Sequence, residues 1–167
     1  IVGRLGQGTV NIGAGGAFLV DAAGSLQGGL GIGTNGGVGS FNLVGDAFGS
    51  AGATIRHSGN SARVGVGVSD GSVTDGFTTG NLLLSGPSNF LIEGVGQAAE
   101  LAIGLGQGSS GALTIASDVN GGAALTLRGT TAQAVVAASP DSNGQIDIAG
   151  AGSSLSITGT DASLAIG

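Results

Sequence analysis

Short alternations of apolar and polar residues recur along the whole chain. In each, two apolar side chains are separated by one residue, most often Gly, Ala, Ser, Thr or Asn. Because successive side chains of a strand point to opposite faces, such a pair indicates a short β-strand with one apolar face. The pairs form three sets of five: Val10/Ile12, Phe41/Leu43, Leu82/Leu84, Leu113/Ile115 and Ile146/Ile148; Phe18/Val20, Ala53/Ile55, Phe90/Ile92, Leu125/Leu127 and Leu155/Ile157; Leu30/Ile32, Val64/Val66, Leu101/Ile103, Ala134/Val136 and Leu164/Ile166. The pattern predicts many short strands joined by small-residue turns.

These strands belong to a repeating unit. The tetrapeptide LAIG at 101–104 recurs at 164–167, with looser copies at 30–33, 64–67 and 134–137 and a truncated one at 1–3. The copies end at positions 3, 33, 67, 104, 137 and 167, so the intervals are 30, 34, 37, 33 and 30 residues. Each interval contains one pair of each set. The sequence therefore predicts units of about 33 residues, with three strands and three turns in each.

A unit of three half-apolar strands cannot bury its own apolar faces, but a stack of such units can. Each strand then pairs with its equivalent one coil away, and the apolar pairs form ladders in the interior. We expect an all-β, right-handed parallel β-helix: a single solenoid domain over 1–167, forming part of a longer fibre or passenger. Its five coils are predicted at 1–33, 34–67, 68–104, 105–137 and 138–167, and one interior ladder comprises Ile12, Leu43, Leu84, Ile115 and Ile148. A glycine-rich β-sandwich is the alternative, although a sandwich needs no 33-residue period.

The composition fits sharp turns and excludes several classes of protein and of partner. Glycine contributes 38 of 167 residues, as sharp turns with positive φ require. No cysteine is present, which excludes zinc fingers and disulfide scaffolds. The formal net charge is −6 and the only basic side chains besides one histidine are four scattered arginines, so we expect no nucleic-acid partner. No apolar run has the length of a membrane span.

Glycine-rich fingerprints for dinucleotides occur in the chain. The pattern G-x-G-x-x-G is present at 31–36 and 106–111, and its alanine variant at 94–99. None of these segments opens a helical pattern, so no helix N-terminus is available to hold a pyrophosphate. The abundance of glycine accounts for the matches, and we expect no organic cofactor.

Calcium is the more serious candidate ligand. The calcium-binding nonapeptide needs an aspartate at its sixth position, and the best match, at 36–44, has Phe41 there. Asp70 and Asp75 flank one turn that also carries three hydroxyl side chains, and they are the weak candidates for a calcium site. A solvated turn with local Asx hydrogen bonds is the simpler interpretation.

Residues for catalysis are few. His57 is the only histidine, and we expect it to be a polar surface residue at a turn. Glu93 and Glu100 are expected in a longer turn, one coil away from Arg56 and Arg63, where surface ion pairs would form. Glycosidase-type β-helices need clustered carboxylates on one face. The sequence therefore predicts no catalytic residue and no enzyme activity.

The segment 101–117, LAIGLGQGSSGALTIAS, resembles the glycine-rich repeat of autotransporter-type passenger domains and the related PEP-CTERM-associated repeat. The segment 150–159, GAGSSLSITG, is similar to the second half of that repeat. The resemblance covers the whole chain and is closest over 101–167. It implies an extracellular or surface β-helix of a Gram-negative-type bacterium that serves adhesion, matrix building or surface-layer formation. The translocator barrel and the protease motif of some passengers are missing here, so neither activity is implied.

The function expected from these observations is structural: a fibre, biofilm-matrix scaffold or adhesin stalk. The segments 1–3 and 164–167 are both marker strands, so we expect copies to associate head to tail into filaments, or the same ladders to continue within a longer chain. Polysaccharide or a cell surface is the expected further partner. Two alternatives stay open. A carbohydrate-active β-helix enzyme or tailspike fragment needs clustered carboxylates; a glycan- or host-binding adhesin domain needs an exposed aromatic strip, and only Phe48 and Phe77 lie off the ladders.

Overall fold

The computed structural model describes residues 1–4, 6–24, 28–69 and 78–167. Within these ranges the regular structure consists of strands, without an α-helix. In chain order they are β1 (Val2–Arg4), β2 (Gln7–Ile12), β3 (Ala17–Ala23), β4 (Gly28–Thr34), β5 (Val38–Val44), β6 (Ala51–Ser58), β7 (Ala62–Val68), β8 (Thr78–Ser85), β9 (Ser88–Val95), β10 (Ala99–Leu105), β11 (Ser109–Ala116), β12 (Ala124–Arg128), β13 (Thr131–Val136), β14 (Asn143–Ala149), β15 (Ser154–Thr158) and β16 (Asp161–Ile166).

Every third strand lies in the same sheet. Sheet A has the order β1-β4-β7-β10-β13-β16, sheet B β2-β5-β8-β11-β14 and sheet C β3-β6-β9-β12-β15. All pairings between these strands are parallel. The chain therefore winds through sheets B, C and A in turn. The predicted three-sided parallel β-solenoid of about five coils is confirmed.

The predicted interior ladders are also confirmed. Ile12, Leu43, Leu84, Ile115 and Ile148 are consecutive register partners across sheet B. The three middle residues of this ladder are fully buried, whereas Ile148, on the outermost strand, is 48% exposed. The pairs predicted for the other two sets are register partners in sheets C and A. Stacking of coils therefore completes the core, as the period of the sequence predicted.

Three phenylalanines form an aromatic cluster in the first three coils. Phe18, Ala53 and Phe90 follow one another in a ladder of sheet C. The ring of Phe41, from sheet B, lies 5.3 Å from the ring of Phe18 in an edge-on arrangement and 6.0 Å from that of Phe90 in a stacked one. Both geometries are favourable for aromatic pairs. Three rings from two sheets therefore pack against one another in the interior.

The marker glycines form the corner between sheets A and B. Gly33, Gly67 and Gly104 have φ of 61°, 62° and 59°, a left-handed conformation that turns the chain. The backbone of the next coil lies against this corner: a Cβ atom on Gly67 would be 1.9 Å from the carbonyl oxygen of Ser110. The marker of the sequence is thus a position at which successive coils touch through their backbones.

Ala137 occupies the same corner position in the fourth coil, with φ of 51°. We expect Ala137→Gly to stabilise the protein. Relief of about 1–2 kcal/mol of left-handed strain exceeds the roughly 0.5–1 kcal/mol that glycine's extra freedom in the unfolded chain costs. Chemical denaturation should show a small increase in the free energy of unfolding, below about 1 kcal/mol.

Ala102→Gly is the matched control. Ala102 lies on β10, does not have positive φ, and faces outward in register with Gly65. Glycine there gains no relief of strain, so the free energy of unfolding should fall by about 0.5–1 kcal/mol. Equal losses of stability in both variants would contradict the strain at Ala137.

Candidate functional site

His57 lies in the interior, and the prediction that it is a surface residue at a turn was wrong. It is on β6 and has no exposed surface. Its register partners are Ala22 and Gly94, and its Nδ1 accepts a hydrogen bond of 3.2 Å from the backbone N–H of Asn60. The alternation that buries Ile55 continues through position 57, so this side chain also points inward. This continued alternation was visible in the sequence and could have predicted that His57 is buried. Because its side chain lies in the interior, we assign it a structural role.

Glu93 and Glu100 lie on strands β9 and β10, so the prediction of a longer turn was also wrong. On the outer face of sheet C, Glu93 is in register between Arg56 and Arg128. Its carboxylate lies 3.2 Å from Nε of Arg56 and 2.9 Å from Nε of Arg128. Asp21 extends this series, 3.7 Å from Nη1 of Arg56. Asp21, Arg56, Glu93 and Arg128 thus alternate in sign across four coils, and we call them the charge ladder.

A further ion pair lies on the outer face of sheet A. Glu100 and Arg63 are register partners on β10 and β7. Nε of Arg63 is 2.8 Å from Oε2 of Glu100, and Nη2 is 3.3 Å from Oε1. The expected ion pairs between these glutamates and Arg56 and Arg63 are therefore present. Each joins neighbouring coils, and such exposed pairs contribute about 0.2–1 kcal/mol apiece.

The glycine-rich segments belong to the turns between strands. The segment 31–36 runs from β4 into the corner after it, where the amide of Gly36 donates to Oγ1 of Thr78 over 2.7 Å. In 106–111, the amide of Gly106 donates to Oγ of Ser139 over 3.1 Å. In 94–99, the amide of Gln97 donates to the carbonyl of Gly94 over 3.2 Å. Each of these amides is therefore engaged in a hydrogen bond within the protein.

Two turns between sheets B and C carry exposed apolar side chains. In the second coil Phe48 is 96% exposed, and in the fourth coil Val119 is 100% exposed. Each turn is held by an aspartate: Oδ1 of Asp46 accepts from the amide of Phe48, and Oδ1 of Asp118 from that of Asn120, both over 2.7 Å. A glycan-binding domain would need an exposed strip of aromatic rings, and Phe48 provides one exposed ring. Phe77, the other phenylalanine off the ladders, lies outside the described residues.

The calcium candidates Asp70 and Asp75 lie outside the described residues. Among the residues that are described, no three His, Cys, Asp or Glu side chains come together in a group that could hold a metal ion. The calcium hypothesis therefore depends on the segment 70–77 and is accessible to a direct test.

We expect a chelator to leave the thermal unfolding midpoint unchanged, because the core ladders and the ion pairs between coils need no metal. Circular dichroism melts with and without EDTA measure this. A lower midpoint in EDTA that added calcium restores would reverse the expectation, since a ligand bound only to the folded state raises stability by mass action. Asp70 and Asp75 would then be the first residues to substitute.

Comparisons of the chain with protein-family models, with curated proteins and with solved structures found no match. Within the described residues there is no helix with the length and apolarity needed to cross a membrane.

Proposed function

We propose that this solenoid is a structural, non-enzymatic module of an extracellular bacterial fibre, matrix scaffold or adhesin stalk. The resemblance of 101–117 and 150–159 to autotransporter-type and PEP-CTERM-associated repeats supports a location at the cell surface. The ion pairs of the carboxylates support a structural role, because Glu93 and Glu100 each pair with arginines of neighbouring coils.

The observation that carries the proposal is the open edge at β14, β15 and β16. Each of these strands is the last of its sheet and pairs on one side only. Inward side chains on β14 and β16 are largely uncovered: Ile148 is 48% exposed, Leu164 50% and Ile166 72%. Equivalent residues of the third coil, such as Ile103, are fully buried. Unpaired backbone groups beside apolar side chains form a surface that a further coil would cover, either from a continuation of the same chain or from another copy.

The opposite edge offers matching ladders. There the inward side chains of β2 and β3 (Val10, Ile12, Phe18 and Val20) are only partly buried. Contact between the β14–β16 edge of one copy and the β2–β3 edge of the next is heterologous and does not close. Repetition of such a contact produces a filament.

We expect the protein to form thin filaments whose mean length rises with concentration. Electron microscopy and sedimentation velocity measure this. Ile166→Asp should shorten or abolish the filaments without unfolding the solenoid, because the exposed Ile166 side chain already lies at the open edge. Val119→Asp is the control, since Val119 is fully exposed on the turn between β11 and β12 and does not lie on an edge strand.

A small monomer at every concentration, with both edges capped, would contradict the proposal. Equal loss of filaments in the Ile166→Asp and Val119→Asp variants would also contradict it, because assembly would then depend on net charge and not on the edge.

A further inference from the structure

The outer face of sheet C carries three neighbouring rows of side chains across β3, β6, β9 and β12. In each row the four residues are successive register partners, and the first row is the charge ladder. The second and third rows lie two and four residues earlier on each strand and line a depression of about 560 Å³. They consist of Leu19, Thr54, Leu91 and Thr126, and of Ala17, Gly52, Asn89 and Ala124.

The charge ladder is complementary to its own reversed order. From β3 to β12 its signs are minus, plus, minus and plus. A second copy turned end for end presents plus, minus, plus and minus, so Asp21 lies opposite Arg128 of that copy and Arg56 lies opposite Glu93. The side chains of Asp21, Arg56 and Arg128 are 49%, 44% and 59% exposed. Three of the four charges can therefore reach groups outside their own solenoid.

The two rows beside the ladder show the same complementarity in size. The second row alternates leucine and threonine, so reversing it sets each leucine opposite a threonine. Reversing the third row sets Asn89 opposite Gly52, where an added Cβ atom would meet nothing within 4 Å. Ion pairing within one solenoid accounts for the alternating signs, but it does not account for Leu19, which is 66% exposed. The size pattern is therefore an observation independent of charge.

We propose that two copies of this chain associate side by side through the outer faces of their C sheets, with antiparallel solenoid axes. The two-fold axis runs parallel to the strands and passes between β6 and β9, so the contact is isologous. The strands of the two faces are then aligned, as in other packed sheets. Two solenoids that run in the same direction would need a two-fold axis along the solenoid. That axis sets each charge of the ladder opposite its own sign, so the order of the signs selects the antiparallel pair.

The area of the contact indicates weak pairing. Four strands spaced ~4.8 Å apart, with five residues of ~3.3 Å each, cover roughly 320 Å² per copy. A stable interface covers roughly 800 Å² per partner. We therefore expect a reversible dimer at high concentration. The pairing goes beyond the proposed filament and does not depend on it, because sheet C lies along the side of the solenoid and not at an edge. Repetition along two filaments would strengthen it, since linked weak contacts bind more tightly than one.

The test is a charge exchange between two variants, followed by sedimentation equilibrium at up to millimolar concentration. Every arm uses the full chain with Ile166→Asp, which weakens contact through the open edge and leaves sheet C unchanged. The parent should dimerise, and added salt should weaken the dimer because its charges are exposed. Asp21→Arg and Arg128→Asp each set like charges opposite one another at both ends of the contact. Each alone should weaken dimerisation roughly tenfold or more.

An equimolar mixture of Asp21→Arg and Arg128→Asp should regain the affinity of the parent. In the mixed pair both end contacts again join opposite charges. Arg63→Asp is the control, because it reverses an exposed arginine on sheet A and should leave dimerisation unchanged. Thermal melts of all variants establish that they are folded. Absence of filaments in the wild type would contradict the function proposed above and would leave this test unaffected.

A spin label measures the orientation of the pair. The chain has no cysteine, so Thr158→Cys provides a single labelling site. Thr158 is exposed on β15, in register with Arg128 and outside the four contacting strands. In the antiparallel pair the two Cα atoms at this position lie about 26 Å apart, whereas copies in the same direction bring them to about 10 Å. Pulsed electron spin resonance should therefore give the longer distance.

Four results would overturn the proposal. The parent could stay monomeric at millimolar concentration, the mixture could pair no better than either variant alone, Arg63→Asp could weaken pairing as much as Asp21→Arg, or the labels could lie at the shorter distance. A monomeric protein that binds a neutral oligosaccharide over the depression would assign this face to a ligand and would also overturn the proposal.

Discussion

Replacing Leu84 with aspartate is expected to abolish cooperative folding. Leu84 lies on β8 in the central coil, is fully buried, and is in register between Leu43 and Ile115. Removing a buried leucine side chain costs about 2–5 kcal/mol. An unpaired carboxylate between coils adds a penalty of several kcal/mol. Together these losses approach the about 5–15 kcal/mol of total stability typical of a domain. Far-UV circular dichroism and thermal melts measure the result.

Leu83→Asp provides the matched control for this substitution. Leu83 is the next residue back on β8 and points to the outer face of sheet B, in register between Asn42 and Thr114. An aspartate there meets water and polar neighbours, so the melting midpoint should change little. A native-like melt for Leu84→Asp, or equal damage by both substitutions, would mean that the side chains of β8 do not alternate between core and solvent.

Gly67→Ala is the second substitution with a large expected effect, although it adds only one methyl group. The new Cβ would lie 1.9 Å from the carbonyl oxygen of Ser110 and 2.5 Å from its carbon. Both are backbone atoms, so relief requires the end of β7 and the start of β11 to move apart. The φ of 62° adds about 1–2 kcal/mol of left-handed strain for a residue with a side chain. We expect a loss of several kcal/mol in the free energy of unfolding, or failure to fold.

Gly65→Ala separates this clash from the general cost of replacing a glycine. Gly65 lies two residues earlier on β7, where a Cβ would approach only the Val68 side chain, at 3.1 Å. Its register partner Ala102 shows that the fold accepts alanine in this row. Stability should therefore change by less than about 1 kcal/mol. If the Gly67→Ala and Gly65→Ala variants have the same melting midpoint, the corner does not depend on close backbone contact.

The solenoid could be predicted from the sequence because its main signals are local. Pairs such as Leu82/Leu84 show which face of a strand is apolar, and the return of LAIG-like markers shows how often a strand recurs. Position-by-position alignment of the units then predicts register, since partners such as Leu84 and Ile115 occupy equivalent positions. Errors arose where a strand was longer than its apolar pair: β6 continues past Ile55 to His57, and β9 past Ile92 to Glu93.

The sequence by itself thus determined the strands, the period and the contents of the core, because alternation within a strand and repetition along the chain are properties of neighbouring positions. Only the tertiary structure decided which residues of different coils come into contact. The contact of Gly67 with Ser110 and the position of Glu93 between Arg56 and Arg128 join residues about one coil apart. Their distances depend on the height and offset of each stacked coil. Loops of unequal length between the markers hide that offset from any local pattern, so the candidate sites emerge only when the coils are stacked.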